Sequence, residues 1–192
     1  MSESRAMRAD ARRNRDAIVA AARDVFDRDE QLRFDDFAAR AGVGVGTLYR
    51  HFPTREALAA AVYEGEVATL VEHARDPEHS AIENLDAVLR GFVEYLVGHA
   101  GLARTLAAVV DPAVQADGGV ELEGTIGELL RQATADGAVR PGIDVGAIMI
   151  VLHGIGSATD RPDWASESRG AVELLLAGLR ASRSPSASTG DR

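Results

Sequence analysis

The hydrogen-bonding side chains from Thr47 to His51 form the densest candidate site in this chain, and a glycine-containing turn precedes them. Leu48 and Phe52 lie four residues apart, so they share one face of a helix, and the polar side chains lie on or near the other face. A short helix of this kind can enter the major groove of DNA when a turn joins it to another short helix. The pattern therefore predicts a helix-turn-helix.

The elements that position this helix are indicated by the sequence around it. Apolar residues recur at helical spacing and predict a first helix from about Ala11 to Asp27 and a short second helix near 35–41. Gly42 falls where the second helix should stop, and the recognition helix follows near 46–52. A fourth helix is predicted to begin after Thr54, which is a good N-cap.

Charge is divided unevenly between the two parts of the chain. The 192 residues carry a formal net charge of −9, yet residues 1–55 carry 11 Arg against 9 acidic residues and residues 56–192 carry 10 Arg against 21. A basic head on an acidic body suits a protein that touches DNA with one end only.

The chain has no cysteine, which excludes disulfides, thiol catalysis and cysteine-ligated metals. No apolar run approaches membrane-helix length and no secretory signal is recognisable, so we expect a cytoplasmic protein without membrane contact.

The rest of the chain predicts more helices and no strand of period two, which makes the fold class all-α. The last two helices, about 143–158 and 165–181, hold more apolar residues than one core-facing stripe requires. A helix that is apolar all round cannot face water on any side, so we expect these two helices to pair with a second copy. The candidate interface residues are Ile148, Met149, Leu152, Ile155, Leu175 and Leu179.

A small-molecule site is predicted in the body between the helices. Phe92 and Tyr95 add aromatic surface close to His99 and Arg104. A cavity between helices with a few polar groups is typical of a ligand site. We expect it to take an uncharged or weakly charged organic molecule.

The helix-turn-helix also resembles the DNA-binding domain of TetR-type (TetR/AcrR) transcriptional regulators, from roughly Arg8 to Tyr63. The resemblance lies in the strings Ala41-Gly42-Val43, Gly46-Thr47-Leu48-Tyr49, His51-Phe52 and Arg55-Glu56-Ala57-Leu58. It implies an all-helical C-terminal domain that senses a small molecule, and a homodimer that pairs its last two long helices.

The resemblance implies roles for single residues. Val45, Gly46 and Tyr49 would lie nearest the base edges, with Val45 suited to a thymine methyl group. The phosphates would be held by Thr47, Arg50, His51 and Arg55, with help from backbone amides near Gly44.

Two further classes of protein remain open as weaker interpretations. The alternating glycines from Gly42 to Gly46 suggest a phosphate-binding loop, but such a loop needs a lysine and the chain has none. Glu72, Asp76 and His79 have a spacing that could place three metal ligands together, although Pro77 interrupts their helix. We therefore predict no catalytic residue, metal or cofactor, and an enzyme or metal-binding protein is the weak alternative.

The sequence thus predicts a disordered arm at 1–7, a helix-turn-helix domain at 8–55, a helical regulatory and dimerisation domain at 56–182 and a disordered tail at 183–192. We expect a repressor that binds a palindromic, inverted-repeat operator on double-stranded DNA as a homodimer and is released by an unknown small-molecule effector. A constitutive DNA-binding or partner-recruiting helical protein without a ligand is the alternative.

Overall fold

A computed structural model describes residues 2–28, 30, 32–107 and 116–180. Over these ranges the chain folds into α-helices joined by short turns, and the one β-type pairing is an isolated antiparallel bridge between Val139 and Arg180. The prediction of an all-α fold is therefore confirmed. The helices are α1 (Ser2–Asp27), α2 (Asp36–Arg40), α3 (Val45–His51), α4 (Arg55–His73), α5 (Ala81–Gly98), α6 (Ala100–Ala107), α7 (Ala116–Ala135), α8 (Val145–Ser157) and α9 (Trp164–Leu179).

The first core cluster holds α1, α2, α3 and the start of α4 together. Its largest fully buried side chains include Ile18, Phe26, Phe37, Leu48 and Leu58, which the helical spacing of the sequence places on inward faces. Leu102 and Leu106 of α6 extend the same cluster, so the head rests directly on the body. The head is thus packed directly against the body.

The N-terminal helix is longer than the sequence predicts. α1 begins at Ser2 and not near Ala11, so residues 2–7 are helical where a disordered arm was predicted. Met1 lies outside the described residues, as do residues 183–192, for which a disordered tail was predicted.

Helix α4 belongs to both halves of the molecule. Its N-terminus is capped by Thr54, whose Oγ1 accepts a hydrogen bond from the N–H of Ala57 at 3.1 Å. Leu58 and Val62 of α4 lie in the first core cluster, while Val67 and Val71 lie in the second. A shift of this one helix would consequently change the packing of both core clusters.

The second core cluster joins α4, α5, α7, α8 and α9, with Ala103 of α6. Trp164 at the start of α9 donates its indole N–H to the carbonyl oxygen of Ile155 at 2.7 Å, which fixes the turn between α8 and α9. The other end of α9 is tied to the α7–α8 connection, because the N–H of Arg140 donates to the carbonyl oxygen of Leu179 at 3.0 Å. These bonds hold α8 and α9 as a pair on one side of the body.

Candidate functional site

The turn before α3 depends on one glycine with a left-handed backbone. Gly42 has φ +68°, a conformation that residues with a Cβ rarely adopt. The N–H of Val43 then donates to the carbonyl oxygen of Ala38 at 2.9 Å, which closes the end of α2. Gly44 occupies the N-cap of α3 in an extended conformation and offers no side-chain cap. The N-terminus of α3 is therefore bare backbone.

Helix α3 buries one face and exposes the other, as its sequence predicts. Leu48 and the C-capping Phe52 are buried against the head. The apolar Val45 is 45% exposed and the aromatic Tyr49 is 47% exposed. The other predicted contact residues are exposed at Gly44, Gly46 and Arg50 and half-buried at Thr47 and His51.

Tyr49 is held in a fixed orientation on the exposed face. Its hydroxyl group donates to Oδ1 of Asp35 at 2.8 Å, and its ring meets the Phe34 ring edge-on with centroids 5.3 Å apart. The hydrogen bond to the Asp35 carboxylate is also the main reason why the pKa of Tyr49 lies above its ordinary value. Tyr49 consequently presents its ring to the outside, while its hydroxyl group is occupied within the head.

Arg55 is half-buried and makes its contacts inside the head. Its Nη1 donates to the carbonyl oxygen of Leu32 at 2.7 Å, and its guanidinium carbon lies 5.3 Å and 5.1 Å from the ring centroids of Phe26 and Phe37. The side chain is turned into the head because these aromatic faces attract the cation. We therefore do not propose for this residue the phosphate role that the family resemblance implies.

Helix α1 carries several exposed basic residues, and one of them lies beside the recognition helix. Arg8, Arg12, Arg13 and Arg15 are all exposed. The guanidinium carbon of Arg15 lies 5.4 Å from the ring centroid of Phe52, at the C-terminal end of α3. Arg15 thus brings one positive charge of α1 to the end of α3.

A cavity of ≈130 Å³ lies in the body between α4, α5, α6, α7 and α8. Its lining residues are Tyr63, Phe92, Leu96, Ala103, Leu106, Ala107, Gly119, Leu122, Met149, Leu152, His153, Gly156 and Ser157. The lining is mainly apolar, with hydrogen-bonding groups on three of these side chains. None of the described residues in this lining is acidic or an arginine.

Tyr63 connects the cavity with both cores. It lines the cavity from α4 and packs against residues of both core clusters. Its ring meets that of Phe92 nearly perpendicular, with centroids 6.3 Å apart. Burial raises the pKa of Tyr63 to about 12, so its hydroxyl group stays protonated at physiological pH.

The α8–α9 pair buries most of the predicted interface residues in the chain's own core. Ile148, Leu152, Ile155 and Leu179 are buried there, and Met149 and Leu175 are half-buried. The large apolar side chains that α8 and α9 do expose are Ile150 at 75%, Val151 at 37% and Leu174 at 78%. Four of the six residues predicted for the interface are thus covered within the single chain, because spacing alone cannot separate the inward from the outward faces of a helix that is apolar all round.

Comparison with known proteins agrees with this arrangement. The model of the C-terminal domain of SbtR-like transcriptional regulators matches residues 80–181, just over half of the chain, and the model of the bacterial regulatory proteins of the tetR family matches residues 18–62. This chain belongs to the TetR family. It is therefore a DNA-binding transcriptional regulator, as the helix-turn-helix predicts.

Solved structures of TetR-family members extend the likeness over most of the chain. The TetR transcriptional regulator SCO0520 from Streptomyces coelicolor is 36% identical, with a TM-score of 0.60, over 88% of this chain and 99% of its own. FadR from Bacillus subtilis is 18% identical with a TM-score of 0.62 over 85% of this chain and 98% of its own, and thus shares the fold. The HTH-type transcriptional regulator SAR2658 from Staphylococcus aureus is 30% identical over 107 residues, which are 53% of this chain and only 58% of that relative.

Of the ligand residues predicted for this TetR-family chain, only Phe92 lines the cavity. Tyr95 and His99 stack on each other with ring centroids 4.3 Å apart, and Nδ1 of His99 lies 2.6 Å from the carbonyl oxygen of Tyr95. Arg104 is exposed on α6. Spacing along α5 placed these residues near each other, but it missed Tyr63 and Met149, which come from distant parts of the sequence.

A metal centre finds no support in the described part of this TetR-family chain. Nδ1 of His79 lies 3.1 Å from Oδ2 of Asp76, but no group of three His, Asp or Glu side chains is placed to hold a metal ion within the described residues. None of the helices described is long and apolar enough to cross a membrane.

Proposed function

We propose that this chain is a homodimeric repressor that binds an inverted-repeat operator and is released by a small molecule. The observation that carries the proposal is α4, which contributes side chains to the core beneath the recognition helix and to the wall of the cavity. A ligand that favours another position of α4 must lower the affinity for the operator. By linkage, the operator lowers the affinity for the ligand by the same coupling free energy. We expect it to act in the cytoplasm, where the DNA is.

The proposed DNA face is the exposed side of α3. Val45, Gly46 and Tyr49 read base edges, and the exposure of Val45 and of the Tyr49 ring favours apolar contact with thymine methyl groups. Phosphates are held by Thr47, Arg50 and His51, with the N–H groups that follow Gly44. Because Tyr49 is the largest side chain on this face and has a fixed orientation, we give it the main reading role.

Binding-site selection from random DNA tests the class and the symmetry together. We expect an inverted repeat whose half-sites are centred about 34–36 Å apart or at a multiple of that spacing. Tyr49→Ala should relax the selected sequence, while Tyr49→Phe should keep it, because it removes only the bond to Asp35. Recovery of a single half-site or of no consensus would contradict the dimeric repressor.

The second copy is proposed to pack against the exposed apolar residues of α8 and α9. Ile150 and Leu174 are more than two-thirds exposed in the single chain. Gly154, Gly170 and Gly178 add places where an added Cβ would meet no atom within 4 Å, so a neighbouring helix can approach closely there. Burial of large apolar side chains is the ordinary driving force of such association.

The proposed effector is a small, uncharged and mostly apolar molecule bound in the cavity. FadR from Bacillus subtilis, which shares this fold, was solved in complex with stearoyl-CoA. The present cavity is far smaller than that ligand, since an apolar cavity of about 150 Å³ holds a single benzene ring. The neutral hydroxyl group of Tyr63 is placed to donate a hydrogen bond to an acceptor on the effector.

Thermal-shift measurement against a library of single-ring compounds tests the effector. A compound that binds the folded state raises Tm in a concentration-dependent way, and it should release the operator. Gly156→Ala places a methyl group in the cavity wall, in ordinary contact with Leu96 at 3.6 Å. This variant should weaken binding of the compound. Gly127→Ala is the matched control, because it adds a methyl group to a helix away from the cavity, 3.8 Å from Val145. A library with no hit would favour constitutive DNA binding or recruitment of a partner protein.

A further inference from the structure

Arg55 joins four segments of the head with one side chain. It is the first residue of α4, and its guanidinium group lies over Phe26 at the end of α1 and over Phe37 in α2. The same group donates to the carbonyl oxygen of Leu32 in the α1–α2 connection. One guanidinium group therefore connects the first turn of α4 with α1, with α2 and with the connection between them.

An aromatic chain continues from Arg55 to the recognition helix. The ring centroids of Phe37 and Phe34 are 6.1 Å apart, and those of Phe34 and Tyr49 are 5.3 Å apart. Such ring pairs prefer tilted or edge-on geometry and contribute beyond their buried area. The rings of Phe37 and Phe34 thus form a continuous path of contacts from Arg55 to Tyr49.

The chemistry of the site suits arginine and not lysine. A guanidinium group is planar, stacks on aromatic faces and still has N–H groups left to donate in its own plane. A lysine ammonium group is a compact, strongly hydrated charge that does not reproduce both contacts. Burial lowers the pKa of Arg55 from its ordinary value and Glu56 opposes this shift, but an arginine remains charged in either case.

We propose that Arg55 is a positioning residue that sets the orientation of α3 and Tyr49 by holding α2 and the α1–α2 connection on the first turn of α4. This inference rests on the proposed reading of DNA by α3. It replaces a phosphate contact, the role that the family resemblance implies, with a contact inside the protein. It also places the link between the body and the reading face at one residue of α4.

The two roles predict different dependence on salt and on sequence. A phosphate contact strengthens binding to every DNA, and its removal lowers the slope of log K against log salt by about 0.9 per phosphate. A positioning residue leaves that slope unchanged and affects only binding to the correct sequence. The ratio of specific to non-specific affinity therefore separates them.

The experiment measures fluorescence anisotropy of the full chain with the selected operator and with a scrambled duplex, over a series of salt concentrations well below Tm. We expect Arg55→Ala and Arg55→Lys to lose about tenfold to a hundredfold in operator affinity, in line with the loss of a charged hydrogen bond. Affinity for the scrambled duplex and the salt slope should stay at wild-type values. Arg55→Lys keeps the charge and the fold, so the test stands if Arg55→Ala fails to fold.

Thr54→Ala is the matched control, because it removes the N-cap of the same helix turn and lowers thermal stability without touching the aromatic chain. It should keep the specificity ratio. If Thr54→Ala lost the specificity ratio equally, the role of Arg55 would be merely structural. If Arg55→Lys kept wild-type operator affinity, or if the salt slope fell, Arg55 would be a phosphate contact. Each of these results would overturn the proposal. A wild-type protein without sequence preference would instead contradict the proposed function.

Discussion

The recognition helix α3 and the α8–α9 pair both leave large apolar side chains on the surface, but their surroundings differ. On α3, Val45 and Tyr49 are about half exposed and stand among glycine and arginine. On α8 and α9, Ile150 and Leu174 are about three-quarters exposed. Their exposed neighbours at helical spacing are His153 and the small residues Ala147, Gly154, Gly170, Ala177 and Gly178.

The charged residues of α9 sharpen this difference, because they are engaged within the chain. Arg169 makes two hydrogen bonds to Glu94 of α5, at 2.7 Å and 2.8 Å. Glu173 accepts a hydrogen bond from Arg90 of α5 at 2.9 Å. The charges of Arg169 and Glu173 thus lie towards α5, while Glu167 near the start of α9 pairs with Arg161.

The contrast indicates two kinds of partner. A face that mixes apolar, glycine and arginine residues suits a polyanion, because the cation contacts phosphate while the apolar groups meet base edges. A face of large and small apolar residues suits another apolar helix pair, since burial there leaves no charge unpaired. We propose that the first face binds DNA and that the second binds a copy of the same chain.

The largest expected effect comes from a charge in the middle of the second face. Leu174→Asp should produce a monomer, because dimerisation would bury the new carboxylate. Operator affinity should then fall by about 10²–10⁴, the gain that linking two binding modules provides. Analytical ultracentrifugation and operator titration measure the two effects.

Val120→Asp is the control for that variant. Val120 is an exposed apolar residue like Leu174, with 68% of its surface accessible, but it lies on α7. The control variant should leave both the dimer and operator binding unchanged. A Leu174→Asp protein that stays dimeric would remove the contrast between the two faces, as would a wild-type protein that is monomeric at micromolar concentration.

A smaller effect separates the inward and outward sides of α8. Ile155→Ala should lower the free energy of unfolding by about 2–5 kcal/mol, because Ile155 is buried and its truncation leaves a cavity. Ile150→Ala, at an exposed position, should change it by no more than about 0.5 kcal/mol. Urea denaturation of both variants in the monomeric Leu174→Asp background measures the difference without a contribution from dimerisation. Similar destabilisation at both positions would mean that α8 is packed on all sides within one chain.

The smallest expected effect concerns Arg50 on α3, which we propose to bind phosphate. Arg50→Ala should weaken operator and scrambled duplexes by the same factor and lower the salt slope by about 0.9 for each phosphate that the arginine neutralises. Arg131→Ala, which removes an exposed arginine of α7, should change neither quantity. If Arg50→Ala altered the selected sequence and left the slope unchanged, Arg50 would read bases and our division of the face would need revision.

The sequence predicted the head well because its signals are local. Gly42 as the helix stop, Thr54 as the N-cap and the four-residue spacing of Leu48 and Phe52 all act within a few residues. The start of α1 was predicted too late, since the polar residues before Ala11 carry no core-facing stripe. The phosphate role of Arg55 came from resemblance alone, and a motif position does not reveal where a long side chain points.

The body was harder to predict because its sites combine distant segments. The cavity brings Tyr63, Phe92 and Met149 together from three different helices. Spacing along α5 suggested Tyr95 and His99 instead, because neighbours in sequence are the only ones that a pattern exposes. Of the aromatic residues of α5, Phe92 lines the cavity and Tyr95 does not.

The sequence by itself determined an all-α chain, a helix-turn-helix with one buried and one exposed face, and a basic head on an acidic body. These properties follow from periodicity, capping and charge, which each depend on residues close together in the chain. Only the tertiary structure decided that Arg55 turns inward, that the cavity lies against α4, and that Ile150 and Leu174 face outward while Ile148 and Ile155 do not. The physical reason is that an apolar side chain is stabilised equally by any dry surface, so packing against other helices determines which side of α8 becomes core and which side remains for a partner.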